Sequence, residues 1–286
     1  MNRIGNPRQR GAGMALVAVL WIVAALSIIA SGISGSLRTE GRIIALAKQQ
    51  VEAQALGDAA IHIALQTMVA SAQPVRELSE AEVTYRGVVM SVQVLPLNGL
   101  IDINSAPPPL LERLFSVAGG LAPEAASQLV QSVLEFRALR DARGRPRRFE
   151  AVEEFMQVPG VDYDLYARLA ALLTAELQGS GGRVNPMAAP AAVLAVLAGG
   201  DMGAAVKISE LRSAGAVGVD MSSLDGSLID QGGTRRVQVQ ARVPVSEGTV
   251  MRVSRSVDLA GRSPNGEPWQ TFRTSVDVES MPLKKP

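Results

Sequence analysis

Hydrophobic positions divide the chain into four stretches of different period. From Gly11 to Leu37 the apolar pattern is almost continuous, and no charged residue stands between Arg10 and Arg38. A helix rises about 1.5 Å per residue, so about 20 apolar residues cross a bilayer core. The basic run Arg8-Gln9-Arg10 would keep the N-terminal end on the cytoplasmic side. Past Leu37 the pattern becomes helical: Ile43, Leu46, Val51, Leu56, Ile63 and Met68 recur at roughly helical spacing, and Pro74 ends the run. One helix from Met14 to about Ser71 would be about 85 Å long. Two helices hinged near Gly32–Gly35 or at Gly57 are the alternative, because glycine weakens a helix interior.

The period then falls to two. Glu82–Arg86 and Val88–Leu95 read as paired strands around Gly87, with Val88, Met90, Val92 and Val94 on one face. From 100 to about 215 the chain turns alanine- and leucine-rich and reads as helices. Strand alternation returns in Arg235–Val245, Thr249–Leu259 and Trp269–Val278, with Arg255 the one charged residue on the apolar face of its strand. The pattern predicts an α+β protein: a long N-terminal helix on an antiparallel sheet, with a helical domain inserted between strands of that sheet.

Composition narrows the chemistry. The 286 residues hold 28 Lys plus Arg against 27 Asp plus Glu, so no global basic field marks a nucleic-acid partner. Cysteine is absent, which excludes disulfides and thiolate metal sites. The single histidine, His62, lies in a helical stretch among Ala, Ile and Leu and reads as structural. No paired carboxylates, phosphate loop or nucleophile–base pair stands out, and no catalytic residue is assigned.

Three local passages in the helical region draw notice. Asn104-Ser105-Ala106 and Asn185-Pro186-Met187-Ala188 each place an Asn ahead of small residues, proline and an apolar helical run. Helix capping by each Asn is the ordinary reading. Between them, a helix, Val158-Pro159-Gly160-Val161 and a helix over Leu165–Leu177 form a helix-hairpin-helix pattern. Such hairpins hold phosphates at a helix N-terminus, but Asp162 and Asp164 at this mouth would repel one. The stretch 137–148 carries six Arg and one Asp. It suits a solvated loop, or a contact with an acidic partner or lipid headgroups.

The N-terminal segment leaves three options: a plain signal anchor, a secretory signal cleaved near Ala30-Ser31-Gly32, or a signal cut ahead of the apolar run. The third rests on Gly13, which closes the basic leader immediately before Met14. That arrangement resembles the class III signal of type IV pilins and type II secretion pseudopilins. The resemblance implies cleavage after Gly13 by the prepilin peptidase and methylation of Met14. The family's usual glutamate at the fifth mature position is replaced by Ala18. The family's glutamate pairs with the N-terminus of the subunit above, and a charge in a dry bundle is useful only with its partner present. Its loss is similar to the minor pseudopilin K family (general secretion pathway protein K, GspK-like) of filament-tip subunits. The order Asn104-Ser105-Ala106, Val158-Pro159-Gly160, Asn185-Pro186-Met187-Ala188 resembles that family's motif set, with Thr lost from both Asn motifs.

This resemblance implies a pilin-like α+β fold with an inserted all-helical, helix-hairpin-helix or SAM-like domain. Its expected parts are a leader over 1–13, a transmembrane helix over 14–36, the rest of the long helix and first strands over 37–100, the insert over 101–215, and closing strands over 216–286. It implies a non-enzymatic subunit capping the type II secretion pseudopilus and initiating its assembly. The chain would sit in the bacterial inner membrane with its C-terminal domain periplasmic. Expected partners are the minor pseudopilins I and J, the prepilin peptidase and inner-membrane lipid. Calcium is associated with the family, whose members often carry an acidic run where this chain has 137–148. Calcium takes about six to eight oxygen ligands, which one Asp among six Arg does not supply; no metal ligand is assigned. The alternative is a membrane-anchored helix-hairpin-helix nucleic-acid-binding protein of the DNA-uptake type.

Overall fold

The computed structural model describes residues 11–140, 144–177, 181–216, 218–246 and 248–280, with side chains outside the description at 11–16, 26–42 and 280. The chain forms two units, 1–53 and 54–286. Helix α1, Gly11–Ser71, runs through their boundary as one element of 61 residues. It is unbroken because no proline falls between Pro7 and Pro74. It ends where Ala72 takes a left-handed φ of 54° and its N–H bonds back to the Val69 carbonyl. Among the described residues no helix is long and apolar enough to cross a membrane. Much of the predicted span 14–36, and residues 1–10 of the predicted leader, lie outside the described side chains or the described residues.

The second unit is built on a five-stranded antiparallel sheet. Its strands are β1 (Ser79–Tyr85) and β2 (Val88–Pro96), then β5 (Arg236–Ser246), β6 (Thr249–Asp258) and β7 (Gln270–Ser280), in the spatial order β1-β2-β5-β6-β7. The β1–β2 turn is Arg86-Gly87, both at positive φ, the conformation that matches strand twist in a two-residue hairpin. The alternation marked in the sequence is the buried face: Met90, Val92 and Val94 line up with Val239, Ala241 and Val243, and with Met251 and Val253.

The C-terminal part of α1 covers this face through Ala60, Ile61 and Leu65, all buried. Gly57 sets the approach. A Cβ there would stand 2.6 Å from Val253 Cγ2 and 3.2 Å from Val243 Cγ2. The glycine that weakens the isolated helix is the one that lets the helix reach the sheet. Arg255, the charge on the apolar face, is answered from the helix by Asp58 at 2.5 Å. His62 donates from Nδ1 to the Asp58 carbonyl (3.0 Å), sits 3.2 Å from Glu267 Oε1 through Nε2, and meets Trp269 edge to face. The single histidine thus ties α1 to the β6–β7 loop.

Strands β2 and β5 are hydrogen-bonded neighbours, yet most of the helices lie between them in sequence. The insert carries β3 (Ile101–Asp102), α2 (Pro108–Arg113), α3 (Pro123–Ala138), α4 (Tyr163–Leu169), β4 (Leu173–Thr174), α5 (Ala191–Leu197) and α6 (Met202–Ser213). Its core holds two stacked ring pairs, Phe115–Phe155 and Phe136–Phe149. The helix expected over Leu165–Leu177 is shorter. It is α4 and one 3-10 turn at Ala170–Leu172; Leu173–Thr174 then form β4, parallel to β3. Long-range pairing overrides local helix propensity here, because the Ile101–Asp102 segment finds its backbone partner at Thr174.

Replacing Gly57 with Val is expected to lower the urea midpoint of the full chain by an amount equivalent to about 1–3 kcal/mol. The Cβ overlap outweighs the gain in helix propensity, roughly a few tenths of a kcal/mol, of replacing glycine with the β-branched valine. An unchanged midpoint would mean that α1 does not rest on Val253 at this distance.

Candidate functional site

The features that bear on function are an exposed apolar helix, three polar clusters in the insert and an arginine-lined pocket. Val17, Val19, Leu20, Trp21, Ile22 and Val23 of α1 are exposed, Trp21 to 73%. Ala18 is exposed among them and carries no polar group. Farther along, Ile43, Ile44, Leu46 and Val51 are exposed as well. Each large apolar side chain buried from water is worth about 1.5–3 kcal/mol, so this length of helix gains from any apolar environment that covers it. Gly13 and Met14 lie in α1, with side chains outside the described residues.

Asn104 and Asn185 do not cap helices. The residues at the helix starts are Pro107 and Pro190, without side-chain caps. Asn104 instead joins three segments: its Nδ2 donates to the Phe149 and Ala175 carbonyls at 3.0 Å, and its Oδ1 accepts from the Phe149 N–H at 2.8 Å. Asn185 does the same elsewhere. Its Nδ2 donates to the Arg76 and Gly232 carbonyls at 2.7 and 3.1 Å, and its Oδ1 accepts from Met187 N–H at 2.9 Å. Asn98 completes that second cluster by donating to Gly232 O at 2.8 Å. Two Asn motifs that read locally as caps are long-range clamps where the insert leaves and rejoins the sheet. Their partners are backbone carbonyls far away in sequence, which no local pattern marks.

Beside the first clamp, Asp102 is buried and accepts from Asn104 N–H at 3.0 Å and from the Ser105 hydroxyl at 2.5 Å. Burial raises its pKa, while Ser105, Asn104, Arg148 and Arg137 pull it back. Arg137 reaches across, donating from Nε to Ile103 O (2.8 Å) and from Nη1 to Ala106 O (2.9 Å). Burial pushes its pKa below the usual arginine value, and Asp102 opposes this. The first arginine of the run 137–148 is therefore a structural clamp rather than a solvated charge. Sequence reasoning missed both groups.

The hairpin turns as its sequence suggests: a 3-10 helix over Val152–Gln157, the Val158-Pro159-Gly160 turn, then α4. Asp162 occupies the position of the expected second glycine. Its Oδ1 accepts from Leu165 N–H at 2.7 Å and caps α4. The helix N-terminus that would meet a phosphate is already bonded to a carboxylate of its own chain.

On the far side of the sheet from α1, Gln93, Gln240, Ser254 and Ser275 lie in one row across four strands. They line a cavity of about 640 Å³ beneath the insert. Arg273 bridges it, meeting Glu153 and Glu176. Outside this cavity, Arg236 holds its cross-strand neighbour Asp258 at 3.1 Å and donates to the Glu176 carbonyl. Burial raises the pKa of Glu176, opposed by Arg273 and Arg236.

The rest of the basic run forms a pocket of about 790 Å³. Residues 141–143 of that run lie outside the described residues. Among the described residues no cluster of three or more Asp, Glu, His or Cys is placed to hold a metal ion. The groups lining the pocket, four arginines among them, do not fit calcium.

A scan against protein-family models matched none, and a search of curated proteins found no similar sequence. Among solved structures, the chain is similar to one chain of the GspK-GspI-GspJ complex from the enterotoxigenic Escherichia coli Type 2 Secretion System. The TM-score is 0.52 at 14% identity, over 83% of this chain and 99% of that one. The likeness is one of fold: a GspK-like minor pseudopilin fold, pilin-like α+β with a helical domain.

Asn104→Ala removes three hydrogen bonds and strands buried backbone groups, each worth about 1–3 kcal/mol when left unpaired. It is expected to lower the urea midpoint more than Asp162→Ala, which removes a cap worth about 1 kcal/mol. Asp102 gives a pH signature. Its folded pKa is raised, so its contribution to stability is greatest below the ordinary carboxylate range and declines as pH rises through the folded value. Asp102→Asn abolishes that titration. Its destabilisation relative to wild type is therefore expected to shrink between about pH 3 and pH 7. A constant or growing difference would contradict the burial penalty.

Proposed function

We propose that this chain is a non-enzymatic structural subunit of a type II secretion pseudopilus, a minor pseudopilin at the filament tip. The observation that carries the reading is the shared fold over nearly the whole of a chain from the GspK-GspI-GspJ complex. The exposed apolar residues of α1 support it, since an anchor and filament core must present such a face to lipid or neighbouring helices. In this reading the prepilin peptidase cuts between Gly13 and Met14, and α1 spans the inner membrane with the second unit in the periplasm. Ala18 in place of a glutamate suits a subunit with no N-terminus above it to pair with. The insert adds bulk that blocks further addition and caps the filament. Minor pseudopilins I and J are the partners. Assembly starting at this subunit would help export proteins across the outer membrane.

Binding of nucleic acid through the hairpin finds no support in the geometry, because Asp162 holds the helix N-terminus where phosphate would sit.

The direct test is the mass of the N-terminal peptide of the protein from native membranes. Processing of the prepilin type gives a peptide starting at Met14 with one added methyl group. A retained Met1 leader, or a start beyond Ala30, would overturn the pseudopilin reading.

A further inference from the structure

The polar face of the sheet carries more hydrogen-bonding groups than the fold uses. Gln93, Gln240, Ser254 and Ser275 form one row across β2, β5, β6 and β7, and Gln238 and Ser256 belong to the next row. All six line the cavity of about 640 Å³ beneath the insert. Among the described residues, none of their side chains makes a hydrogen bond to the protein. Ser254 and Ser256 are only 4% and 3% exposed, and Gln240 Nε2 is shut off from solvent without a partner. Polar groups placed this deeply are ordinarily bonded, and each one left unpaired costs stability. Folding alone gives no reason to gather them in one place.

The charged groups around this floor are already taken. Arg242 pairs with Glu80, Arg252 with Asp277 and Glu279, and Arg273 with Glu153 and Glu176. The facing wall, supplied by the insert, includes Val152, Tyr166, Ala170, Ala171 and Leu173. It offers aliphatic surface and one phenol ring. Glu153, Arg242 and Asp277 also line the cavity and have exposed side chains, so it opens to solvent.

We propose that this cavity binds an extended, uncharged oligosaccharide. A sugar carries hydroxyls around its edge, which both donate and accept, and C–H groups on its faces. The edge matches the amides and hydroxyls of the sheet, which also do both. The faces match the aliphatic and aromatic wall of the insert. Neighbouring strands lie about 4.8 Å apart, so the row of four spans about 14 Å and repeats at close to the length of one pyranose unit in an extended chain. A peptide strand repeats at about 3.3 Å and would run out of step with the row. An acyl chain would leave all six polar groups unpaired. An ionic ligand would have to displace a charge that is already paired. The volume falls within the range of small-molecule sites.

Full-length protein in a detergent without a sugar headgroup is titrated by calorimetry with cellotetraose and with chitotetraose, both extended and uncharged. Maltotetraose, whose α-linkages curve the chain, is the control. Saturable binding of at least one extended tetrasaccharide, tighter than that of maltotetraose, is expected. Ser254→Ala and Ser256→Ala should each weaken it about fivefold. Neither should lower the urea midpoint, because neither hydroxyl is bonded to the protein. Combined with Gln240→Leu, they should remove binding while the far-UV spectrum stays unaltered. No binding of either extended sugar, equal binding of maltotetraose, or binding unchanged in the triple variant would overturn the proposal. So would a midpoint that falls together with binding in the two serine variants, which would assign the hydroxyls to the fold.

Discussion

Everything in the second unit depends on how closely α1 approaches the sheet. Gly57 has no Cβ, and the space that one would fill belongs to Val253 and Val243. The approach lets Ala60, Ile61 and Leu65 bury themselves on strands whose inward positions are nearly all valine, alanine or methionine. It also brings Asp58 to Arg255, so the one charge on that face has a partner instead of a desolvation penalty. With one face sealed by a helix, the sheet's other face has no need to be apolar. It carries glutamines, serines and arginines, and the insert meets it through ion pairs over a cavity.

That division explains the two polar clamps. An insertion between neighbouring strands must leave and return without pulling β2 from β5. A hydrophobic seam would slide, since apolar contact has no direction. Hydrogen bonds to fixed carbonyls do not slide. Asn98, just after β2, and Asn185 both bind the Gly232 carbonyl ahead of β5, and Asn104 binds the entry of the insert to Phe149 and Ala175 within it. Asparagine suits the task because one amide both donates and accepts, bridging an N–H and a carbonyl of separate segments.

The strands, the long helix and the insertion were legible in the sequence, because period two and period 3.6 are local signals. So was the oddity of Arg255, though not its partner. The Asn motifs are visible as motifs, with capping as one local reading: an Asn followed by proline has the same local signature whether its amide bonds three residues ahead or to a segment far along the chain. The shortened α4 failed for a related reason. Leu165 to Leu177 has helical composition, and only the pairing of Leu173–Thr174 with Ile101–Asp102 makes its end a strand. Asp162 reads in the sequence as a free charge that would repel phosphate; in the structure it is a cap whose Oδ1 accepts the Leu165 N–H.

The basic run shows why a fold shared at low identity constrains chemistry less than it constrains architecture. The insert needs a loop after α3, and the loop needs something to hold it to the core. Oxygen ligands around a cation would serve, each carboxylate drawing its segment inward. Here the same work falls to guanidinium groups: Arg137 on the carbonyls of 103 and 106, Arg147 on the Phe136 ring and Gln157, Arg148 on Leu177. Arginine reaches these acceptors without a metal, because one planar guanidinium carries five donors in a fixed fork. The loop is thus held by donors on the arginines instead of by oxygens around a cation.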